Sequence, residues 1–257
     1  MLTCRALDQA MIERRDHNGI NIKFILVGGF MSVQINESTK TVSEETAAGA
    51  AVYSNFLLSI YDVEVLMFEL QYIFKCPLHK VMDFFNKNVS GMHLDVGVGT
   101  GYFLDKCNFP VENPTIHLMD LNSNTLRKTS KRIKRYEPAP HQCNVLEPIQ
   151  ADLPLFDSIS AINFLHCLPG TMLNKEMVIK NLKPFLREGG VFFGVTVLGQ
   201  GVDVGILYRI ANSIYNNKSI FSNLNDNISD LEVILKNNFK EYFVQTVGSA
   251  AFFSGHN

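Results

Sequence analysis

The sequence predicts an α/β fold: a mostly parallel sheet covered by helices on both faces, with its last strand running antiparallel. Three observations predict it. Short strand-like runs alternate with helix-period patterns from residue 93 onward, and that alternation is how a parallel sheet with crossover helices is encoded. A glycine-rich turn stands between one such strand and the next helix. The last two runs are separated by Gly248-Ser249 alone, too short for a parallel crossover, so the final strand must turn back as a hairpin.

The elements follow in order. Residues 1–22 are polar and mixed, and the apolar piece from Lys23 to Phe30 is too short, and lacks the small-residue cleavage pattern, to be a secretory signal. Residues 1–30 are therefore expected to be an N-terminal extension outside the core fold. Residues 31–90 read as a helical cap. Thr41 and Glu44 form a capping box opening a helix over 44–60, with Tyr53, Leu57 and Tyr61 on one face. A second helix over 63–74 stops ahead of Pro77, and Val81, Phe84 and Phe85 mark a third that ends near Asn88. Residues 91–257 form the sheet domain. Its strands are expected at 93–96, 115–119, 159–164, 191–197, 242–247 and 250–253. Helices are expected over 122–136, around Val178, Leu182 and Phe185 (closed by Gly189-Gly190), around Leu207, Ile210 and Ile214, and after a capping box formed by Ser229 and Glu232.

Composition narrows the function. With 46% hydrophobic and 19% charged residues the chain has enough apolar material for a core, and no apolar run is long enough to cross a bilayer. The formal charge of −2 argues against a surface built wholly to grip nucleic acid. The five cysteines are scattered and never spaced as C-x-x-C, which fits buried thiols in the cytoplasm better than disulfides or a metal site.

The chemistry concentrates at His93-Leu94-Asp95-Val96-Gly97-Val98-Gly99-Thr100-Gly101. Glycines at alternate positions permit positive φ and close approach of a ligand to the backbone, and the following helix aims free N–H groups at the same place. A dinucleotide site of the G-x-G-x-x-G form would need glycine where Tyr102 stands. Asp95 would moreover repel a diphosphate, whereas it suits a cationic ammonium or sulfonium. Asp120 ends the next strand, where a carboxylate can accept hydrogen bonds from ribose hydroxyls.

On these residues the chain resembles the class I S-adenosylmethionine-dependent methyltransferases. Asp95 to Gly101 resembles their first motif and Leu118-Met119-Asp120-Leu121-Asn122 their second. Phe156 to Ile159, Asn163 to Gly170 and Leu182 to Gly190 resemble the later ones. Tyr61-Asp62 and Leu165-His166-Cys167-Leu168-Pro169-Gly170 are similar to a subgroup of uncharacterised bacterial and fungal enzymes acting on small molecules. The resemblance implies a Rossmann-like, doubly wound sheet of seven strands with S-adenosyl-L-methionine as cofactor. It implies Asp95, Gly97, Gly99 and Gly101 around the methionine part, Asp120 on the ribose and Leu121 beside the adenine. Asn144, where an acid is commoner, and Val145 would meet the adenine edge and face, and Asn163 would contact the cofactor.

Methyl transfer needs alignment, exclusion of water and, for some acceptors, removal of a proton. His166, at the end of the fourth strand, is the candidate base, and Tyr53 and Tyr61 on the cap are candidates for lid and acceptor contacts. No metal is expected. The basic run Arg127 to Arg135 spreads around a helix rather than along one stripe, which reads as a solvated surface. The expected reaction is therefore methylation of an oxygen or nitrogen on a small-molecule acceptor. The alternatives are methylation of RNA or protein, and a non-catalytic protein that binds the cofactor.

Overall fold

The computed structural model describes the strands within residues 10–35 by their backbone, and residues 73–257 apart from Val204. The predicted helices over 44–60 and 63–74, and with them Tyr53, Tyr61 and Asp62, lie outside the described residues. The chain divides into two units, Met1–Thr46 and Ala47–Asn257. In the first, β1 (Ala10–Arg15), β2 (Asn21–Val27) and β3 (Phe30–Ile35) form an antiparallel meander, with Ala10 opposite Leu26 and Ile22 opposite Ile35. The apolar piece at 23–30 thus falls in β2 and at the start of β3.

The second unit begins, in its described part, with α1 (Leu78–Asn88), whose spacing puts Leu78, Val81 and Phe85 in the core. Then come β4 (Met92–Val96), α2 (Tyr102–Lys106), β5 (Thr115–Asp120), α3 (Ser123–Arg132), β6 (Ala139–Gln142), β7 (Phe156–Ile162) and α4 (Glu176–Leu182). β8 (Leu186–Val197), α5 (Ile206–Asn217), α6 (Ile228–Asn238), β9 (Glu241–Val247) and β10 (Ala250–His256) complete it. The seven strands lie in the order β6-β5-β4-β7-β8-β10-β9. β10 runs antiparallel to both of its neighbours, β8 and β9, as the short Gly248-Ser249 connection requires.

Alternation along the strands builds a core on each face. Leu94, Met119, Phe192 and Phe253 pack with α4 and α6, while Leu118, Phe193 and Phe252 pack with α1, α2 and α3. The order reverses between β4 and β7. Such a switch point opens a crevice at the carboxyl ends of the strands, where ligands of open α/β sheets bind.

Several boundaries differ from expectation for local reasons. α4 ends at Leu182, before a 3-10 turn holding Pro184, because proline removes a helical donor. Gly189-Gly190 instead sits in β8, where the β7–β8 register shifts between Phe156 and Ser158. β6 contains Pro140, a residue tolerated on an edge strand, so the residue pattern alone does not mark it and the seventh strand is expected only from the resemblance. The cap of α6 is Asn227, whose side chain accepts from Asp230 N at 2.9 Å, two residues ahead of the expected Ser229 box.

Candidate cofactor and acceptor site

The loop after β4 is shaped by three glycines with positive φ: Gly97 at 68°, Gly99 at 51° and Gly101 at 70°. Gly97 N–H donates to Met119 O at 2.8 Å, and Gly101 N–H donates to Val98 O at 2.9 Å. Thr129 on α3 fastens the loop from outside by donating to Gly99 O at 3.1 Å, and Arg132 donates to Thr100 O at 3.1 Å. A side chain at Gly99 would meet nothing nearer than Gly97 O at 4.0 Å, so this part of the loop faces open space. Close backbone approach by a ligand is possible there.

Two carboxylates stand at the ends of adjacent strands. Asp95 is 7% exposed and accepts from Ser160 Oγ across the switch point at 2.5 Å. Burial raises its pKa to about 7 against the lowering effect of the Ser160 bond, and Asp120 adds to the rise. Asp120 accepts Asn122 N–H at 2.8 Å and also backbone N–H from Val98 and Leu121, yet burial still moves it upward. Two crowded carboxylates that hold their protons too firmly are a standing invitation to a cation and to hydroxyl donors. Beside them Leu121 is 63% exposed, an apolar surface at the mouth of the crevice.

The remaining predicted residues divide. Asn144 makes a turn, accepting Leu146 N–H at 3.1 Å and donating to Glu147 Oε1 at 2.9 Å. Its oxygen keeps a second lone pair. Val145, next to it, is buried and its side chain belongs to the core cluster. Asn163, just past β7, has φ 53°, and its buried Oδ1 has no hydrogen-bond partner among the described residues.

His166 lies in a 3-10 turn after β7 and is 3% exposed. Its Nδ1 accepts Val197 N–H at 3.2 Å, and Phe221 packs edge-on at 4.4 Å. Burial, with the Lys175 charge nearby, drops its pKa to about 3. Sequence reasoning missed what holds this wall. Lys175 and Asp226, both fully enclosed, form an ion pair at 2.5 Å, and Lys175 Nζ also donates to Ser222 O at 2.8 Å. Ser222 N–H in turn donates to His166 O at 2.7 Å. A lysine in a mixed stretch and an aspartate 51 residues later carry no local signal of their pairing.

On α3 and just beyond it, Arg132 and Arg135 both pair with Asp105. These two cations hold the turn after the glycine loop. No group of three or more potential metal ligands occurs among the described residues.

The fold is thus an α/β protein with a glycine loop at its switch point, beside two strand-end carboxylates. Residues 94–192 match the family described as a methyltransferase domain. The chain is 34% identical over 207 residues to the demethylluteothin O-methyltransferase of Streptomyces thioluteus, covering 80% of this chain and 90% of that one. It is 34% identical over 210 residues to an O-methyltransferase of the physcion biosynthesis cluster of Aspergillus chevalieri, covering 81% and 94%. In fold it is similar to a SAM-dependent methyltransferase from Aquifex aeolicus, with TM-score 0.52, 16% identity and coverage of 79% and 98%. The chain belongs to the methyltransferase domain family and is an S-adenosylmethionine-dependent methyltransferase.

Proposed function

We propose that the enzyme transfers the methyl group of S-adenosylmethionine to an oxygen or nitrogen of a small-molecule acceptor. The observation that carries this reading is the pairing of Asp95 and Asp120 at the carboxyl ends of β4 and β5, beside a glycine loop open at Gly99. The bound cofactor supplies an activated methyl group on a sulfonium. Asp95 holds its cationic end, with Gly97, Gly99 and Gly101 letting the chain pass close. Asp120 takes the ribose hydroxyls, and Leu121 covers the adenine. Asn144 accepts from the adenine amino group through its oxygen, and Asn163 offers its unpartnered Oδ1 to the cofactor.

On the acceptor side, His166 serves as wall rather than base. Because Nδ1 accepts a backbone N–H, the neutral ring carries its proton on Nε2, so neither nitrogen has a free lone pair for an incoming proton. The acceptor then has to be acidic enough to ionise itself, or to lose its proton to water after transfer. Tyr53 and Tyr61 of the expected cap, residues 31–90, are assigned to lid and acceptor contacts, and residues 1–30 to an extension.

The relatives' names, O-methyltransferases for demethylluteothin and within physcion biosynthesis, support a small-molecule acceptor. The thiols of Cys76, Cys107, Cys143 and Cys167 are all free, which supports a cytoplasmic setting. Among the described residues no helix is long and apolar enough to cross a membrane.

Calorimetric titration with S-adenosylmethionine, S-adenosylhomocysteine and NADH tests the cofactor site: the first two bind and the third does not. Release of S-adenosylhomocysteine in the presence of hydroxylated and aminated aromatic compounds then tests the acceptor. Binding of NADH alone would overturn the reading.

A further inference from the structure

A line of hydrogen-bonded side chains runs from Asp95 back through the sheet, and methyl transfer as described above makes no use of it. Ser160 Oγ meets Asp95 Oδ1 at 2.5 Å and His93 Nε2 at 3.0 Å. His93 Nδ1 meets Ser158 Oγ at 2.7 Å. Ser158 Oγ meets Ser90 Oγ at 2.7 Å, and Ser90 Oγ donates to Met92 O at 3.0 Å. His93, Ser158 and Ser160 are fully enclosed, while Ser90, ahead of β4 at the opposite edge of the sheet, is partly exposed. Phe85 and Phe193 pack on the imidazole. The titratable groups acting on Asp95 or feeling its charge are Asp120 and the Cys107 thiol.

Every link between two side chains can point either way, whereas Met92 O only accepts. With Asp95 ionised, Ser160 donates to it, His93 donates from Nε2 to Ser160, and Ser158 donates to His93 Nδ1. With Asp95 protonated, its O–H donates to Ser160, Ser160 donates to Nε2, and the imidazole donates from Nδ1 to Ser158. Ser158 then donates to Ser90, whose own proton goes to Met92 O. Both arrangements satisfy each buried atom, because a neutral imidazole offers one donor and one acceptor. The tautomer of His93 therefore reports the charge of Asp95.

We propose that His93 and Ser160 are positioning residues for the cofactor's cationic end: the Ser158–His93–Ser160 chain presents Asp95 as an oriented carboxylate and reverses when the arriving cation displaces the carboxyl proton. The proton balance closes. Asp95 passes its proton to Ser160, Ser160 to Nε2, Nδ1 to Ser158 and Ser158 to Ser90, which releases one proton to solvent. Each intermediate group gives up one proton and receives one, so His93 changes tautomer and not charge. The proton leaves at the far edge of the sheet, without opening the cofactor crevice.

The proposal rests on the assignment of Asp95 to the cofactor, and the experiment separates the two. Titration calorimetry with S-adenosylmethionine in buffers of different ionisation enthalpy counts released protons. With Asp95 raised to about 7, wild-type protein should release about one proton near pH 6 and almost none near pH 8.5. Asp95→Asn should release none and bind more weakly. If Asp95→Asn binds as wild type does, the cofactor assignment itself fails.

Nitrogen-15 spectra of the His93 ring, in unmutated protein near pH 6, should change from the Nδ1–H to the Nε2–H signature on binding. An unchanged tautomer overturns the chain even where Asp95→Asn has lost affinity. Ser160→Ala should weaken binding about tenfold at a temperature where the variant is fully folded, and wild-type affinity in that folded variant also overturns it. S-adenosylhomocysteine, which lacks the sulfonium, distinguishes the cation: equal proton release points to the ammonium, smaller release to the sulfonium.

Discussion

The ring of Phe164 lies against the α-carbon of Gly97, so that a Cβ built there would sit 2.1 Å from the ring. Phe164 follows β7 and Gly97 follows β4, and their contact closes the floor of the crevice at the switch point. Gly99, two residues on, also has a positive φ but open space beside it. One glycine is therefore required by packing and the other by what approaches from outside.

Gly97→Ala and Gly99→Ala should accordingly fail in different ways. The first forces a ring out of place and strains φ, costing about 2–4 kcal/mol of stability. The second pays only the backbone strain, about 1 kcal/mol, yet loses cofactor binding because a methyl group fills the approach. Thermal melting and S-adenosylmethionine calorimetry on both variants check this; equal loss of stability in the two would refute it.

Asp95 makes the free enzyme pH-sensitive in a stated direction. Its folded pKa of about 7 lies above the model-peptide value of 3.8, so the native state binds more protons than the unfolded chain between those values. Its contribution to stability is complete below about pH 4 and is lost as pH rises through 7. Asp95→Asn should remove that dependence and leave the ligand-free protein more stable near pH 8, by up to roughly 4 kcal/mol. Denaturant melts of both proteins at pH 5 and pH 8 measure it.

The cap of α6 offers a local test. Asn227→Ala removes the acceptor of Asp230 N–H and should cost about 1 kcal/mol. Ser229→Ala, inside the helix, should cost little. Reversed magnitudes in urea melts would restore the Ser229 box.

That helix shows why some features were legible and others were not. Its existence follows from Leu231, Ile234 and Leu235 at helical spacing, but a cap depends on which of two neighbouring polar residues turns inward. The mostly parallel sheet with its antiparallel last strand, the glycine loop and both acids were readable because strand period, glycine spacing and turn length are local properties. The partners of Asp95 were not. Ser158 and Ser160 sit in a mostly apolar strand that also holds Asp157, and only the β4–β7 register, His93 opposite Ser158, brings them under His93. The Lys175–Asp226 pair is the extreme case, since neither residue belongs to a pattern and both are meaningful only when enclosed together.

Leu121 should matter to binding and not to folding. At 63% exposure it contributes little to the core, while covering an adenine would bury most of that surface. Leu121→Ser should weaken S-adenosylmethionine by about 1–2 kcal/mol, or about five- to thirtyfold, with the melting temperature of the free protein unchanged. A drop in melting temperature with affinity intact would place Leu121 in the fold instead.

His166 can be tested by separating its two nitrogens. Asparagine places an acceptor near Nδ1, whereas glutamine places its amide near Nε2. If the imidazole acts by accepting Val197 N–H, His166→Asn should keep stability and turnover within about threefold, and His166→Gln should lose about 1–3 kcal/mol from the unpaired amide. A general base at Nε2 predicts otherwise: both variants would be folded and turn over at least about a hundredfold more slowly. The pH profile supplies an independent check. An imidazole held near 3 by burial stays neutral from pH 5 to 9, so kcat should show no ascending limb from this residue. Any limb in that range should move with the acidity of the acceptor, because the ionisation being followed belongs to the compound that receives the methyl group.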